Sequence, residues 1–408
     1  GNAIIYTINN TTVVVRLDHL IVHHKVNIIF TARLFVSSQK KNKPVYLEHL
    51  FVADYRNLQM AQLELSPKIN CFAGNNGVGK TNLLDAVYYL SFCKSAVGSQ
   101  DIQIIRHQAD AFQLQGTYIM PDGSKSTISC VARQKGKKQI KRDKKEYQRF
   151  SEHIGYIPLV MVSPADTQLI LGGSEERRKF MDIVISQYDK EYLKQLINYN
   201  KALTQRNTML KMEIMPDSDL FLMWEQVMSD SAAIIYNKRK ELIDKLIPYF
   251  QKLYAAISGG AETVSFSYTS HLDRGSLLDQ LTEGRLKDHI VGYTLHGIHK
   301  DDLIMELGGY PIKKEGSQGQ SKSYLTALKF AQYMLLCQVC NGKKPILLLD
   351  DIFDKLDSNR VNSILKLVAD ERFGQIFITD VNRTNIEQMI SGLGCDYKIF
   401  SIDKGTVI

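Results

Sequence analysis

The sequence predicts an α/β fold in which the two ends of the chain close one sheet around an inserted, mostly helical lobe, with no long coiled coil. Three observations carry this. A short apolar run, Ile69-Asn70-Cys71-Phe72-Ala73, leads into the glycine-rich stretch GNNGVGKTN at 74–82. A second apolar run, Ile346 to Leu349, ends in Asp350-Asp351. Between them lie two long stretches with helical spacing of apolar residues.

The first run reads as a buried strand, and Thr81 to Leu90 continues with apolar residues at helical spacing, so the glycine-rich stretch is a strand-to-helix loop. Its pattern is Gly74, four residues, Gly79-Lys80-Thr81. Glycines let successive N–H groups curl inward around an anion, Lys80 supplies a point charge to β- and γ-phosphates, and the Thr81 hydroxyl suits Mg²⁺. The expected nucleotide-binding set is Gly74, Asn75, Asn76, Gly77, Val78, Gly79, Lys80, Thr81 and Asn82, with ATP and Mg²⁺ as cofactors.

Residues 1–44 carry β-branched runs such as Thr11 to Val15 and end in a polar, lysine-rich stretch up to Pro44, so they are expected to be an extension outside the core fold. The ordered fold is expected from Val45, with two strands before the loop. Net charge is +8 over 408 residues, a mild basic bias that fits an acidic partner. No apolar run approaches the roughly 18 residues of a membrane span, and the N-terminus lacks a charged region followed by an apolar one; a cytoplasmic protein without a membrane partner is expected. Six scattered cysteines fit a reducing compartment, and Cys337 and Cys340, three apart in an apolar helical run, read as core residues.

The run into Asp350-Asp351 is the second half of a nucleotide site: a carboxylate at a strand end for Mg²⁺, Asp350, and the next carboxylate, Asp351, as general base for water. EGSQGQSKSYLTALK, 315–329, opens a long helix on Ser317-Gln318-Gly319-Gln320, and its N–H groups would face an anion. This turn resembles the signature motif of ABC-type ATPases, which acts in trans on the γ-phosphate held by a second subunit; Lys355-Leu356-Asp357 falls where such proteins carry a dimer-contacting loop ending in an aspartate. Lys80 and Ser317 are too close in sequence for the coiled-coil arm of SMC proteins, leaving room for a small lobe. That lobe contains helical stretches at 189–212 and 220–258, stopped by Gly259-Gly260, with Met228, Ile235, Leu242 and Tyr249 recurring every seven residues as in an antiparallel hairpin and Pro248 as an expected kink. The expected domains are 45–160 with 290–408 as a discontinuous ATPase head, and 161–289 as the lobe.

Five blocks make the resemblance specific: YLEHLFVADYRN, GNNGVGKTNLLDA, SPADTQLILGGSEERRKFMD, GIHKDDLIMEL, and EGSQGQSKSYLTALK with LLLDDIFDKLD. Together they resemble the RecF family of bacterial, SMC-like ABC-type ATPases over 45–408. The chain departs from the family pattern at Ala165, Ser174, Ile298, Lys300 and Asp354-Lys355, away from the nucleotide residues. The resemblance implies weak, DNA-stimulated ATP hydrolysis coupled to an ATP-dependent homodimer, binding to double-stranded and gapped DNA, and help to RecO and RecR in loading RecA during recombinational repair and fork recovery. From the residues alone comes a basic stretch after a turn at Pro121-Asp122-Gly123: Lys137, Lys138, Lys141 and Arg142 are the candidate DNA contacts there, with Arg56 a further candidate near nucleotide or DNA. The rival readings are a transporter-type ATPase subunit, which calls for an LSGGQ motif proper and a membrane partner, and an ABC-headed nuclease, which calls for a further acidic metal cluster.

Overall fold

The computed structural model describes residues 3–8, 11–16 and 44–407, apart from 99, 261, 341, 354–357 and 393. The chain divides into two units, 1–42 and 43–408. In the first, β1 (Ala3–Ile8) and β2 (Thr11–Arg16) form an antiparallel pair with Ile8 opposite Thr11.

Among the described residues the second unit holds three sheets. β3 (Tyr46–Tyr55) and β4 (Leu58–Glu64) precede β5 (Ile69–Ala73), the strand that feeds the glycine-rich loop. β6 (Ala111–Ile119), β7 (Lys125–Arg133), β8 (Gln139–Arg142) and β9 (Lys145–Glu146) join β3 and β4 in an antiparallel sheet ordered β4-β3-β6-β7-β8-β9. The basic stretch therefore lies on the far strands of a sheet, with the expected hairpin at 120–124 formed by β6 and β7.

β5 sits inside the central sheet. Its neighbours are β10 (Leu159–Val162), β14 (Ile346–Leu349), β15 (Ile376–Asp380), β16 (Tyr397–Asp403) and β17 (Thr406–Val407), in the order β10-β14-β15-β5-β16-β17, parallel except for the last pair. Both ends of the chain thus contribute strands. A parallel sheet covered on both faces needs near-continuous apolar strands, and β5, β10 and β14 are buried throughout. The two-residue alternation then sorts side chains between two cores. Ile69, Cys71, Val160, Val162, Leu347, Leu349, Ile376 and Ile378 enter the core shared with the helices. Phe72, Leu159, Met161, Ile346, Leu348 and Phe377 enter the core under the antiparallel sheet.

Helices Lys190–Leu210 and Ser218–Ser258 form the lobe, each capped by an aspartate, Asp189 and Asp217, whose side chain accepts from a first-turn N–H. The longer helix, about 60 Å at 1.5 Å per residue, runs through Pro248 and ends at Gly259. Met228, Ile235 and Leu242 are fully buried along it, and Tyr249 packs partly buried against the same core. Cys340 is buried and Cys337 half-buried. No helix among the described residues is long and apolar enough to cross a membrane.

The lobe is tied to the sheet by backbone and by charge. β11 (Val264–Thr269) pairs with β12 (Asp302–Leu307), which pairs with β13 (Tyr310–Pro311), so a three-stranded sheet runs across the 289/290 boundary expected from sequence. Arg239, 2% exposed on the long helix, donates to Asp301 at 2.8 Å and to Asp182 at 2.9 Å. Arg177 grips Asp302 through two nitrogens, at 2.6 and 3.0 Å, and Arg178 donates to the Asp301 carbonyl. The third and fourth sequence blocks thus meet as a structural clasp. Truncating one partner of a buried pair leaves a charge uncompensated, which accounts for the residue types at 177, 178, 182, 301 and 302 without any catalytic duty.

Candidate nucleotide-binding site

The glycine-rich loop leaves β5 and enters helix Lys80–Phe92 through Gly79, whose φ of 118° excludes a side chain without strain. A Cβ there would also lie 2.9 Å from Oδ1 of Asn57. Asn57 clasps the loop from the β3–β4 turn: its Nδ2 donates to the Gly77 carbonyl at 3.2 Å, and its Oδ1 accepts from Asn82 at 2.7 Å. On the other flank the Gly405 N–H donates to the Val78 carbonyl, so the β16–β17 turn braces the loop as well. Asn75, Asn76 and Gly77 remain exposed at its tip.

Lys80 is 4% exposed, and its ammonium donates to the carbonyls of Gly74 at 2.7 Å and Asn75 at 3.0 Å, which holds the charge inside the loop. Beside it, Oδ1 of Asp350 accepts from the Thr81 hydroxyl at 3.0 Å and from the Thr379 hydroxyl at 2.8 Å. Asp350 follows directly on β14 and Thr379 lies in β15, next to it in the sheet; parallel register brings their ends together with the end of β5. Burial pushes the Asp350 carboxyl above the usual range, against the hydrogen bonds from Thr379 and Thr81. Asp351 follows at φ 46°, a left-handed conformation that aspartate tolerates better than most residues, and its N–H donates to Thr379 Oγ1 at 2.9 Å. A hydroxyl and a carboxylate oxygen side by side, next to a fixed ammonium, are a donor set that suits a hard divalent cation bound with phosphate. Among the described residues no cluster of three or more His, Cys, Asp or Glu could hold a metal by itself.

Arg56 supports this site from within. Its Nε donates to the buried Asp85 at 3.1 Å and its Nη2 to Ser95 at 2.9 Å. Asp85, on the loop's own helix, also accepts from the Tyr55 hydroxyl, from Ser95 and from the Ala96 N–H. Asp85 and Thr379 went unnoticed in the sequence: the first is signalled only by a lone carboxylate in an apolar helical run, the second by nothing at all. Lys138 is also committed to structure. Its side chain is 16% exposed, pairs with Asp101 at 2.9 Å and donates to the Cys93 carbonyl at the end of the loop helix. Arg142 stacks on Tyr156, 4.6 Å from the ring centroid, while Lys137 is exposed in the turn before β8 and Lys141 half-buried on it.

The second half-site is the turn opening helix Gln318–Val339. Ser317 caps it in a reciprocal box: its Oγ accepts from the Gln320 N–H at 3.2 Å, and its own N–H donates to Gln320 Oε1 at 2.7 Å. Ser317 and Gln318 are exposed. Asp357 lies outside the described residues.

Comparison with known proteins agrees with this architecture. Residues 46–404 match the family model described as RecF/RecN/SMC N terminal domain. The DNA replication and repair protein RecF of Phocaeicola vulgatus is 55% identical over 361 residues, covering 88% of this chain and 97% of that protein. Its namesake in Porphyromonas gingivalis (strain ATCC 33277) is 48% identical over 362 residues, covering 88% and 99%. Among solved structures, the recombination mediator protein RecF with ATP in the RecFOR pathway superposes with a TM-score of 0.81 at 30% identity, covering 90% of this chain and 98% of that one. An Smc head domain from Pyrococcus furiosus, at 16% identity and a TM-score of 0.54 over 89% of this chain and 95% of that one, shares the fold.

Proposed function

The chain belongs to the RecF family of DNA replication and repair proteins, with an SMC-like, ABC-type ATPase head, and we propose that it is a weak, DNA-stimulated ATPase that binds duplex and gapped DNA. In this reading it dimerises on ATP and assists RecA loading with RecO and RecR, partners taken from the family. The observation that carries the reading is the convergence of Lys80, Thr81, Asp350 and Asp351 at the ends of three adjacent parallel strands.

Lys80 and the loop N–H groups would hold the phosphates, and Thr81 with Asp350 would hold Mg²⁺, which when bound neutralises charge on phosphate oxygens. Thr379 sets the spacing of the two carboxylates: its hydroxyl hydrogen goes to Asp350 and its oxygen takes the Asp351 N–H. Asp351 would then accept a proton from the attacking water at its carboxylate. Ser317, Gln318 and Gly319 would complete the site from a second copy, contributing first-turn N–H groups to the γ-phosphate. The far strands of the antiparallel sheet, with Lys137, Lys141 and Arg142, are the proposed phosphate contacts for DNA. Steady-state ATP hydrolysis with and without gapped duplex DNA tests the reading. Turnover that needs Lys80 and rises with DNA is expected; a protein that neither hydrolyses ATP nor binds duplex would refute it.

A further inference from the structure

The exposed turn at Ser317 is held from outside its own helix. Gln320 donates from Nε2 to Glu262 Oε1 at 2.5 Å, and the Tyr254 hydroxyl donates to the other oxygen of that carboxylate. Arg360 lies against the same turn. A Cβ built on Gly319 would fall 2.7 Å from Nη1 of Arg360, closer than real Cβ atoms approach anything. Hydrogen bonds from Tyr254 and Gln320, with the charge of Arg360, hold the Glu262 carboxyl below its ordinary range.

These residues come from separate elements. Tyr254 is in the last turns of the long lobe helix, Glu262 follows its glycine stop, Gln320 is in the capping box, and Arg360 is in helix Ser358–Ala369, which follows the Asp350-Asp351 strand end in sequence. A first-turn N–H cluster attracts an anion by partial charge alone. A guanidinium at contact distance adds a full charge in a fixed fork, and a side chain at 319 would displace it from that place.

We propose that Arg360 is a positioning residue of the signature half-site: packed against Gly319 beside the Gln320–Glu262–Tyr254 chain, it fixes the first turn of the helix for the partner copy's γ-phosphate, and Gly319 is glycine to admit it. The proposal rests on the reading of Ser317 to Gly319 as a site completed in trans. It places the lesion of an Arg360 variant in the partner's reaction, not in the chain's own nucleotide affinity.

The test compares Arg360→Ala, Arg360→Lys, Gly319→Ala and the Gly319→Ala/Arg360→Ala double variant, with thermal melting as the check on folding. Arg360→Ala is expected to lower kcat at least tenfold while binding of a fluorescent ATP analogue to the monomer stays within about twofold, and Arg360→Lys to recover at least a third of the wild-type rate. Gly319→Ala, by displacing the guanidinium, should cost about as much as Arg360→Ala, and the double variant no more than either alone. Mixed with Lys80→Ala, the Arg360→Ala chain should regain hydrolysis; mixed with Ser317→Arg it should not. Wild-type kcat in Arg360→Ala, or fully multiplicative losses in the double variant, would overturn the proposal alone. Absence of Lys80-dependent hydrolysis in the unsubstituted protein would overturn the ATPase reading, and this proposal with it.

Discussion

The two half-sites of the proposed ATPase are built differently. The phosphate-loop half is assembled by a sheet: β5, β14 and β15 end side by side, and Lys80, Asp350, Asp351 and Thr379 are set by backbone register, so neighbours in space are neighbours along strands. The signature half is not set by strand register. Its turn is held by side chains from 254, 262 and 320, with 360 packed against it. A half-site fixed by register is rigid whatever binds to it, whereas one fixed by side chains can follow the elements that carry them. In the proposed reading the chemistry falls to the half set by register, and the lobe has a route to the other half through Tyr254.

The contrast can be tested by breaking each half in turn. The largest expected effect is on the scaffold of the loop helix. Asp85→Ala removes the acceptor shared by Tyr55, Arg56, Ser95 and the Ala96 N–H, and loss of one partner of a buried charge pair costs about 3–5 kcal/mol; chemical denaturation should show a loss of that size. Asp351→Asn leaves the scaffold untouched. It should keep ATP binding, lower hydrolysis by roughly 10² and accumulate dimer, with turnover read by phosphate release and dimer by sedimentation; near-normal turnover would remove Asp351 from the role of base.

Acid should weaken the loop helix and the lobe alike. His153 donates from Nε2 to the Leu90 carbonyl of the loop helix and accepts at Nδ1 from Tyr147; His299, in the lobe region, does the same with Thr294 and Tyr199. Each partner set accommodates a neutral ring, and burial, which disfavours the charged form, pushes both imidazoles down to about 4. A base with a depressed folded pKa is at full stability above its unfolded value of about 6.5 and loses it as pH falls towards 4. Between pH 7 and 5 each should cost on the order of 2 kcal/mol, and His153→Gln or His299→Gln should flatten that part of the stability curve. The smallest effect is expected at the basic strands. Substituting Lys137, Lys141 and Arg142 by Ala should reduce the salt dependence of duplex binding by up to about 0.9 in slope for each phosphate no longer neutralised. Lys138→Ala, by contrast, frees Asp101 and the Cys93 carbonyl and should lower the melting temperature; an unchanged salt slope in the triple variant would place DNA elsewhere.

Legibility in the sequence follows the same divide. The phosphate loop, its strand and the Asp350-Asp351 strand end are contiguous motifs in which a two-residue or 3.6-residue period fixes the element. The lobe helices are also readable, because an apolar stripe recurring every seven residues is closed by a glycine stop; their caps, Asp189 and Asp217, come from the structure. Hidden from sequence was whatever depends on pairing between distant segments. β11 and β12 pair across the expected domain boundary, Thr379 meets Asp350 only through parallel register, and Arg56 and Lys138, read as possible contacts for ligand or DNA, meet Asp85 and Asp101 instead. A cation's partner is a tertiary fact, and no local pattern announces it.

The central claim is that one site takes its phosphate loop from one copy and its signature turn from the other. Lys80→Ala and Ser317→Arg should each abolish hydrolysis in a pure preparation. In a mixed dimer, two-fold symmetry puts both lesions in one site and leaves the other whole. With random pairing about half the dimers are mixed, so an equimolar mixture should recover about a quarter of wild-type ATP hydrolysis, with mixed dimers confirmed by differential tags. Activity no higher than the mean of the two variants, in a sample where mixed dimers are demonstrated, would contradict it.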